Sequence, residues 1–180
     1  EWGREVRRFR VVRVWIAKKN GKSPLAAGVG VYLLIFDGEA GGKTWTVAHD
    51  GKQADIVHGH ARQMITQSPT LRELCKINLS TRHILHHDSA SIFGVLSTDN
   101  IEGQEGLNGN QIKDEMHVLS ARLEKVLRYM DASRSEPMDF GVSTAGNDPQ
   151  SWGAKQVIYG RRVEKGEVID PTFLHCEWGA

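Results

Sequence analysis

The chain has 180 residues, of which 39% are hydrophobic and 25% are charged, and its formal net charge at pH 7 is +1. These values are typical of an ordinary soluble globular protein, and the length suffices for one domain with a substantial core. The sequence also argues against a transmembrane helix, because no apolar run approaches the roughly 20 residues that such a helix requires.

In chain order, the hydrophobic pattern alternates between strands and helices. The predicted strands are residues 9–16, 43–49, 77–79, 83–87, 91–96, 110–113, 138–143 and 168–177. The predicted helices are residues 24–37, 51–67, 70–75, 122–130 and 150–165, with Asp50, Ser68 and Ser120 as N-caps. A polar, Gly-rich loop is expected over residues 98–109. The alternation predicts an α/β fold with a mainly parallel sheet and helices on both faces.

Residues 17–24, Ala-Lys-Lys-Asn-Gly-Lys-Ser-Pro, join the first predicted strand to the first predicted helix. A helix N-terminus suits phosphate binding because its first amides are free and its dipole is positive there, and Gly21 lets the backbone approach closely. We expect Lys22 to reach nucleotide phosphates and Ser23 to join a Mg²⁺ shell. Ile16 stands where the full P-loop pattern has its first glycine, so the prediction rests on the strand–loop–helix context more than on the tripeptide.

Two later strand ends carry polar residues that complement this loop. In a parallel sheet, ligands bind beyond the carboxyl ends of the strands, so Asp114 and Glu115 are expected near residues 21–23. We interpret Asp114 as a metal ligand and Glu115 as the group that orients the attacking water. Thr144, in the Ser-Thr-Ala-Gly segment 143–146, is expected to sense the γ-phosphate. The alternative for the acidic pair is a helix N-terminus stabilised by the dipole.

The charge distribution and the cysteine content say less about function. Residues 1–22 contain eight Lys or Arg and two Glu, whereas residues 99–139 contain nine acidic and five basic residues. These segments either face one another at a site that joins phosphates to Mg²⁺, or lie as solvated charges on separate faces. Cys75 and Cys176 have no metal-ligand spacing, and we expect both to be reduced core thiols of a cytoplasmic protein.

The order of these features resembles the ATPase motor domain of the large terminase subunit of tailed bacteriophages. The matching stretches are residues 17–27, 32–34, 37–39, 50, 53–54, 68–69, 96–97, 99, 106–108, 114–117, 144–146 and 170–173. They include Asp-Glu-Met-His at 114–117, Thr-Ala-Gly at 144–146 and Asp-Pro-Thr-Phe at 170–173. The resemblance covers most of the chain, and the order and spacing of the stretches carry it.

The resemblance implies a P-loop NTPase-like fold, with ATP and Mg²⁺ as cofactors. It implies ATP hydrolysis that pumps double-stranded DNA into a procapsid in the host cytoplasm. It also implies a homo-oligomeric ring in the full protein, a catalytic arginine from a neighbouring subunit, the small terminase subunit and portal as partners, and no membrane. Hydrolysis would shift the loop 143–147 and thereby move a DNA-gripping surface. Lys18 stands where this family commonly has an arginine, and it keeps the charge without the planar fork.

The expected site therefore has four groups of residues. They are Asn20, Gly21, Lys22 and Ser23 for the nucleotide, Ser23 and Asp114 for the metal, Glu115, Lys22 and Lys18 for catalysis, and Ser143, Thr144 and Gly146 for coupling.

The strand before Asp114 departs from the family pattern, because a central parallel strand is normally apolar and this one reads Asn-Gln-Ile-Lys. A buried Lys113 without a partner would be costly. The strand is therefore shifted toward an edge, or Lys113 pairs with a carboxylate, or this copy is degenerate.

Degeneracy would favour a different function, a non-catalytic P-loop remnant that serves as an assembly or DNA-contact module. A helicase-like ATPase is disfavoured because it needs a second motor domain. The chain begins without an initiator methionine or a signal peptide. We expect residues 1–180 to be a single ATPase domain, truncated at both ends and lacking the nuclease domain and its DNA-cutting centre.

Overall fold

A computed structural model describes residues 6–97, 107–119, 121–130 and 136–179. The strands are β1 (Val11–Ile16), β2 (Lys43–Ala48), β3 (Cys75–Asn78), β4 (His83–His86), β5 (Ile92–Ser97), β6 (Asn110–Asp114), β7 (Asp139–Ser143) and β8 (Phe173–Trp178). The helices are α1 (Lys22–Phe36), α2 (Gly51–Gln67), α3 (Pro69–Leu74), α4 (Ala121–Arg128) and α5 (Trp152–Glu164), with a 3₁₀ turn at Met116–Val118.

These strands form one sheet in the order β3-β4-β5-β2-β6-β7-β1-β8. In this order, each strand from β5 through β2, β6, β7 and β1 to β8 pairs in parallel with the next. The pairs β3–β4 and β4–β5 are antiparallel. The predicted α/β class and mainly parallel sheet are confirmed, and the hairpin of β3 and β4 extends the sheet at one edge. Strand β6 lies in the middle of the sheet, which excludes the predicted alternative that it is shifted toward an edge.

Side chains of the central strands alternate between two cores, one on each face of the sheet. In β1, Val12 and Val14 pack with the buried residues of α1 and α2. Trp15 points to the other face, where it packs in a second core with Leu123 and Leu127 of α4. Helices therefore cover both faces of the sheet, as the sequence predicted.

Local signals set the starts of most helices. The Asp50 carboxylate accepts hydrogen bonds from the amides of Lys52 and Gln53, which confirms it as the N-cap of α2. The Ser68 hydroxyl caps α3 in the same way, but α3 ends at Leu74 because Cys75 already pairs in β3. The predicted cap at 120 and most of the loop at 98–109 lie outside the described residues.

Several predicted bounds differ from those of the structure, and two of the differences have a clear local cause. Helix α5 begins at Trp152 rather than at residue 150, because the Ser151 hydroxyl caps it by accepting from the Ala154 amide. Strand β8 begins at Phe173 rather than at residue 168, because the Val168 amide still bonds to the Arg162 carbonyl at the end of α5, and the Asp170 carboxylate then holds a turn by accepting from the Thr172 amide.

Lys113 is part of a cluster of buried charges on the α4 face of the sheet. We call Arg13, Lys113, Glu124 and Asp139 the buried charge cluster. Lys113 Nζ lies 2.8 Å from both Glu124 Oε1 and Asp139 Oδ2. Arg13 contacts both oxygens of Asp139 through its two terminal nitrogens, at 2.9 and 2.6 Å, and the Trp152 ring lies over Arg13 and Lys113. Of the three explanations for Lys113, the structure shows pairing with a carboxylate.

The other polar side chains of β6 also have partners. Asn110 donates to Asp37 Oδ2 at 2.9 Å and accepts from the Met138 amide at 2.9 Å. Gln111 donates to the Leu127 carbonyl at 2.8 Å, which ties β6 to α4. A polar sequence is therefore compatible with a central strand here, because each of these buried side chains makes at least one hydrogen bond.

The negative charge of Asp139 is stabilised by its two cationic neighbours. Burial alone would raise the pKa of Asp139, but Arg13 and Lys113 outweigh burial and hold that pKa well below its usual range. An aspartate whose pKa is lower in the folded state stabilises the fold above its ordinary pKa near 4. That contribution is lost as the pH falls below this value.

We predict that Asp139→Asn lowers the free energy of unfolding at pH 7 by about 3–5 kcal/mol, because it leaves buried Arg13 without a carboxylate and buried Lys113 with Glu124 alone. Urea unfolding of the variant and of the exposed control Asp88→Asn measures this loss. The difference between Asp139→Asn and the original chain should narrow below about pH 4, where the stabilising charge of Asp139 is being lost. A variant as stable as the control would contradict the structural role of the cluster.

Candidate functional site

The loop 17–21 connects β1 to α1 at the carboxyl edge of the parallel strands. Gly21 is the N-cap of α1 and has a φ of 72°, a conformation that favours glycine. Its carbonyl accepts from the Leu25 amide at 3.1 Å, and so the helical hydrogen bonds begin there. The Asn20 side chain donates to the Ala17 carbonyl at 3.3 Å and holds the loop in a tight turn. The first amides of α1 are thus presented at the loop.

Ser23, in the first turn of α1, is joined to the end of β6. Its hydroxyl donates to Asp114 Oδ2 over 2.8 Å. Asp114 is the last residue of β6 rather than the residue after it, and the residue is only 4% exposed. Two oxygen ligands from residues 91 positions apart therefore meet beside the loop.

Lys22 and Glu115 form the second contact between the same two segments. Lys22 is buried, and its Nζ lies 3.9 Å from Glu115 Oε1. Glu115 has a φ of 54° and a ψ of 52°, which is a left-handed conformation that is uncommon outside glycine. Because this conformation turns the chain sharply after β6, the side chains of Asp114 and Glu115 both remain at the loop.

Thr144 reaches the same group from the end of β7. Its hydroxyl donates to Glu115 Oε2 at 3.4 Å, and the residue is buried. Ser143 is fully buried below it, and its hydroxyl donates to the Thr144 carbonyl at 2.9 Å. Lys22, Asp114 and Thr144 therefore lie together at one edge of the sheet.

The remaining predicted residues lie further out. Lys18 is exposed and, among the described residues, forms no ion pair with Asp114 or Glu115. Gly146 lies beside His117, where an added Cβ would come within 2.9 Å of the histidine Cβ. The geometry thus groups the residues expected for the metal, for water and for sensing, while Lys18 stands apart.

Sequence reasoning gave no role to His117, although its Nδ1 lies 3.1 Å from Glu115 Oε2 and 3.0 Å from Ser143 Oγ. Nothing in the spacing of the sequence signals this contact, because it depends on the left-handed turn at Glu115. The buried charge cluster had one signal, Lys113 in a central strand, but its partners Asp139 and Glu124 could not be identified from it.

Burial raises the pKa of Asp114, and the Glu115 charge raises it further. The hydrogen bond from Ser23, the bond from the Glu115 amide and the charge of Lys22 act in the opposite direction. The raised pKa means that the charged carboxylate is held in a place that disfavours it. Additional positive charge at this position would relieve that cost.

The sheet order, the loop that ends in Gly-Lys-Ser and the acidic end of the adjoining strand together define a P-loop NTPase-like domain. The family model for the terminase large subunit, ATPase domain, matches residues 2–161, and the chain belongs to this family. Comparison with curated protein sequences gave no significant match. No helix among the described residues is long and apolar enough to cross a membrane.

Solved structures of phage large terminases share the fold. The HK97 bacteriophage large terminase superposes with a TM-score of 0.80 at 20% identity, over 94% of this chain and 35% of that chain. The Thermus phage P74-26 large terminase ATPase domain gives a TM-score of 0.70 at 18% identity, over 94% and 75%. The large terminase of another thermophilic bacteriophage, in complex with ATP-gamma-S, gives 0.57 at 14%, over 95% and 39%. The chain thus spans about a third of the HK97 protein.

We predict that Asp114→Asn raises the free energy of unfolding at pH 7. A carboxyl group whose pKa is higher in the folded state destabilises the fold as the pH rises above the ordinary value near 4, and asparagine carries no such charge. Ser23→Ala should do the opposite, because it removes a hydrogen bond that favours the charged form. Urea unfolding between pH 4 and pH 8 tests both, and equal pH profiles for both variants and the original chain would refute the argument.

Proposed function

We propose that this terminase ATPase domain hydrolyses Mg²⁺-ATP and couples hydrolysis to the translocation of double-stranded DNA. The observation that carries the proposal is the hydrogen bond between Ser23 and Asp114, beside Lys22 and Glu115. It puts one hydroxyl and one carboxylate oxygen next to a helix N-terminus. A large terminase from a thermophilic bacteriophage was solved with ATP-gamma-S, which supports nucleotide binding by this fold.

The residues present fit a magnesium ion. Mg²⁺ prefers oxygen ligands, and in nucleotide sites it is usually bound by one or two carboxylates together with phosphates and water. Ser23 and Asp114 would hold it, and a cation there would offset the burial that raises the pKa of Asp114. The ion would neutralise charge on the phosphates during phosphoryl transfer.

The protein groups divide the remaining work. Gly21 and the first amides of α1 bind phosphate oxygens, with Asn20 holding the loop in shape. The Lys22 ammonium, now near Glu115, turns to the β- and γ-phosphates when nucleotide is bound. Glu115 is then free to orient the attacking water and to accept its proton.

Thr144 and its neighbours connect hydrolysis to movement. The Thr144 hydroxyl bonds to the Glu115 carboxylate, so a movement of that carboxylate would also move the start of the loop that follows β7. This loop, with Ser143 and Gly146, is the proposed coupling segment. Lys18 is exposed, and we propose that it contacts the phosphates of a bound nucleotide.

In the full protein we propose a homo-oligomeric ring on double-stranded DNA, working with the small terminase subunit and the portal. A neighbouring subunit would then supply the arginine that this site does not contain within the described residues. The best support for the alternative, a non-catalytic remnant, was the polar strand before Asp114. That support is gone, because Lys113 is paired and the other polar side chains of β6 are hydrogen-bonded.

We predict that Lys22→Ala weakens Mg²⁺-dependent ATP binding at least about tenfold, because it removes the buried cation of the loop. Glu115→Gln should bind ATP as the original chain does but lose about 100-fold or more in turnover. Nucleotide titration and phosphate release measure the two effects, with exposed Lys76→Ala and Glu73→Gln at the far edge of the sheet as matched controls. If the original chain does not bind ATP, the proposal fails, whereas binding without turnover indicates a motor that needs its neighbours.

A further inference from the structure

His117 lies between the two parts of the site that the proposed mechanism must connect. Its Nδ1 is 3.1 Å from Glu115 Oε2 on one side and 3.0 Å from Ser143 Oγ on the other. Its backbone amide also donates to Ser143 Oγ, over 3.2 Å. One side chain therefore touches the end of β6 and the end of β7 at the same time.

The hydrogen bonds around Ser143 determine which nitrogen of His117 carries a proton. The Ser143 hydroxyl donates to the Thr144 carbonyl at 2.9 Å, so its oxygen acts as an acceptor toward His117. The Glu115 carboxylate is also an acceptor. With two acceptors facing it, Nδ1 must carry a hydrogen, which it shares between Glu115 and Ser143.

Two glycines fix the place of His117. An added Cβ at Gly146 would lie 2.9 Å from the His117 Cβ, and one at Gly153 would lie 3.0 Å from the His117 Cα. Gly146 belongs to the loop after β7, and Gly153 to the first turn of α5. The backbone and Cβ of His117 are thus packed between that loop and α5, while its ring stays partly exposed.

We propose that His117 is a positioning residue, whose Nδ1–H fixes the Glu115 carboxylate and links its position to Ser143 and α5. The inference rests on the proposed role of Glu115. When Lys22 leaves Glu115 for the phosphates of a nucleotide, the His117 Nδ1–H and the Thr144 hydroxyl remain as donors to that carboxylate. Any shift of the Glu115 carboxylate then changes how the Nδ1–H hydrogen bond is shared between Glu115 and Ser143. The hydrogen bond from His117 to Ser143 therefore changes as well.

Substitution with asparagine and with glutamine distinguishes this role from packing. The amide nitrogen of asparagine takes a place close to that of Nδ1, whereas the longer glutamine places its amide closer to that of Nε2. We expect His117→Asn to stay within about threefold of the original kcat for ATP, while His117→Gln and His117→Ala lose about 10- to 100-fold. ATP affinity should remain unchanged in all three, and His60→Ala on α2 serves as the control.

Equal losses in the asparagine and glutamine variants would overturn the inference, as would a fall in ATP affinity or thermal stability that accounts for the whole effect. Ser143→Ala provides a second check, because it removes one of the two acceptors. Combined with His117→Gln it should cost little more than His117→Gln alone, and additive losses would argue against a shared proton.

A readout without turnover keeps this inference separate from the proposed function. In ¹⁵N NMR spectra of the nucleotide-free chain, the His117 Nδ1 signal should be that of a protonated nitrogen, and Glu115→Gln should shift it. His60 should be unaffected. An unprotonated Nδ1, or an Nδ1 signal that does not shift in Glu115→Gln, would overturn the inference even if the chain hydrolyses ATP. A chain that lacks ATPase activity but shows both signals would contradict the proposed function alone.

Discussion

The pairing of Lys113 with Glu124 and Asp139 is the interaction on which the centre of the molecule depends. Without it, β6 could not occupy the middle of the sheet, because an unpaired buried ammonium is among the most unfavourable groups in a protein interior. With Arg13 on the other side of Asp139, the cluster contains two cations and two anions. Its balanced charge allows four ionised groups to lie between the sheet and the helices of one face.

The alternation of side chains along β6 relates this cluster to the site. Gln111 and Lys113 point toward α4, whereas Ile112 and Asp114 point toward α1. The strand is therefore held from one face by Lys113 while it presents Asp114 on the other. On that second face the charges do not balance, since Lys22 stands against Asp114 and Glu115. A site with this excess of negative charge favours a cation together with a phosphate, and disfavours a bare triphosphate.

The features that could be predicted from the sequence are mainly those whose signal is local. The bounds of α2 and its Asp50 cap follow from periodicity and capping within a single stretch, and the structure confirms them. The meeting of Lys22 with the end of β6 follows from one non-local rule, that parallel strands bring their carboxyl ends to the same edge. The partners of Lys113 follow from no such rule, since any of many carboxylates in the chain satisfies the charge. The pairing depends on the fold, which places β7 next to β6 in the sheet and α4 on the face to which Lys113 points.

Glu115 shows the second limit of sequence reasoning, because its place depends on a backbone conformation that its residue type disfavours. A left-handed residue other than glycine costs on the order of 1–2 kcal/mol. Here the conformation is held by hydrogen bonds on both sides, from the Glu115 amide to Asp114 Oδ1 at 2.9 Å and from the Val118 amide to the Glu115 carbonyl at 3.1 Å. The same turn buries Met116 completely against Gly141, and it brings His117 back to Ser143. The ends of β6 and β7 already lie side by side in the sheet. The strained residue thus adds side-chain contacts between these two ends, because its carboxylate lies near Lys22, His117 and Thr144.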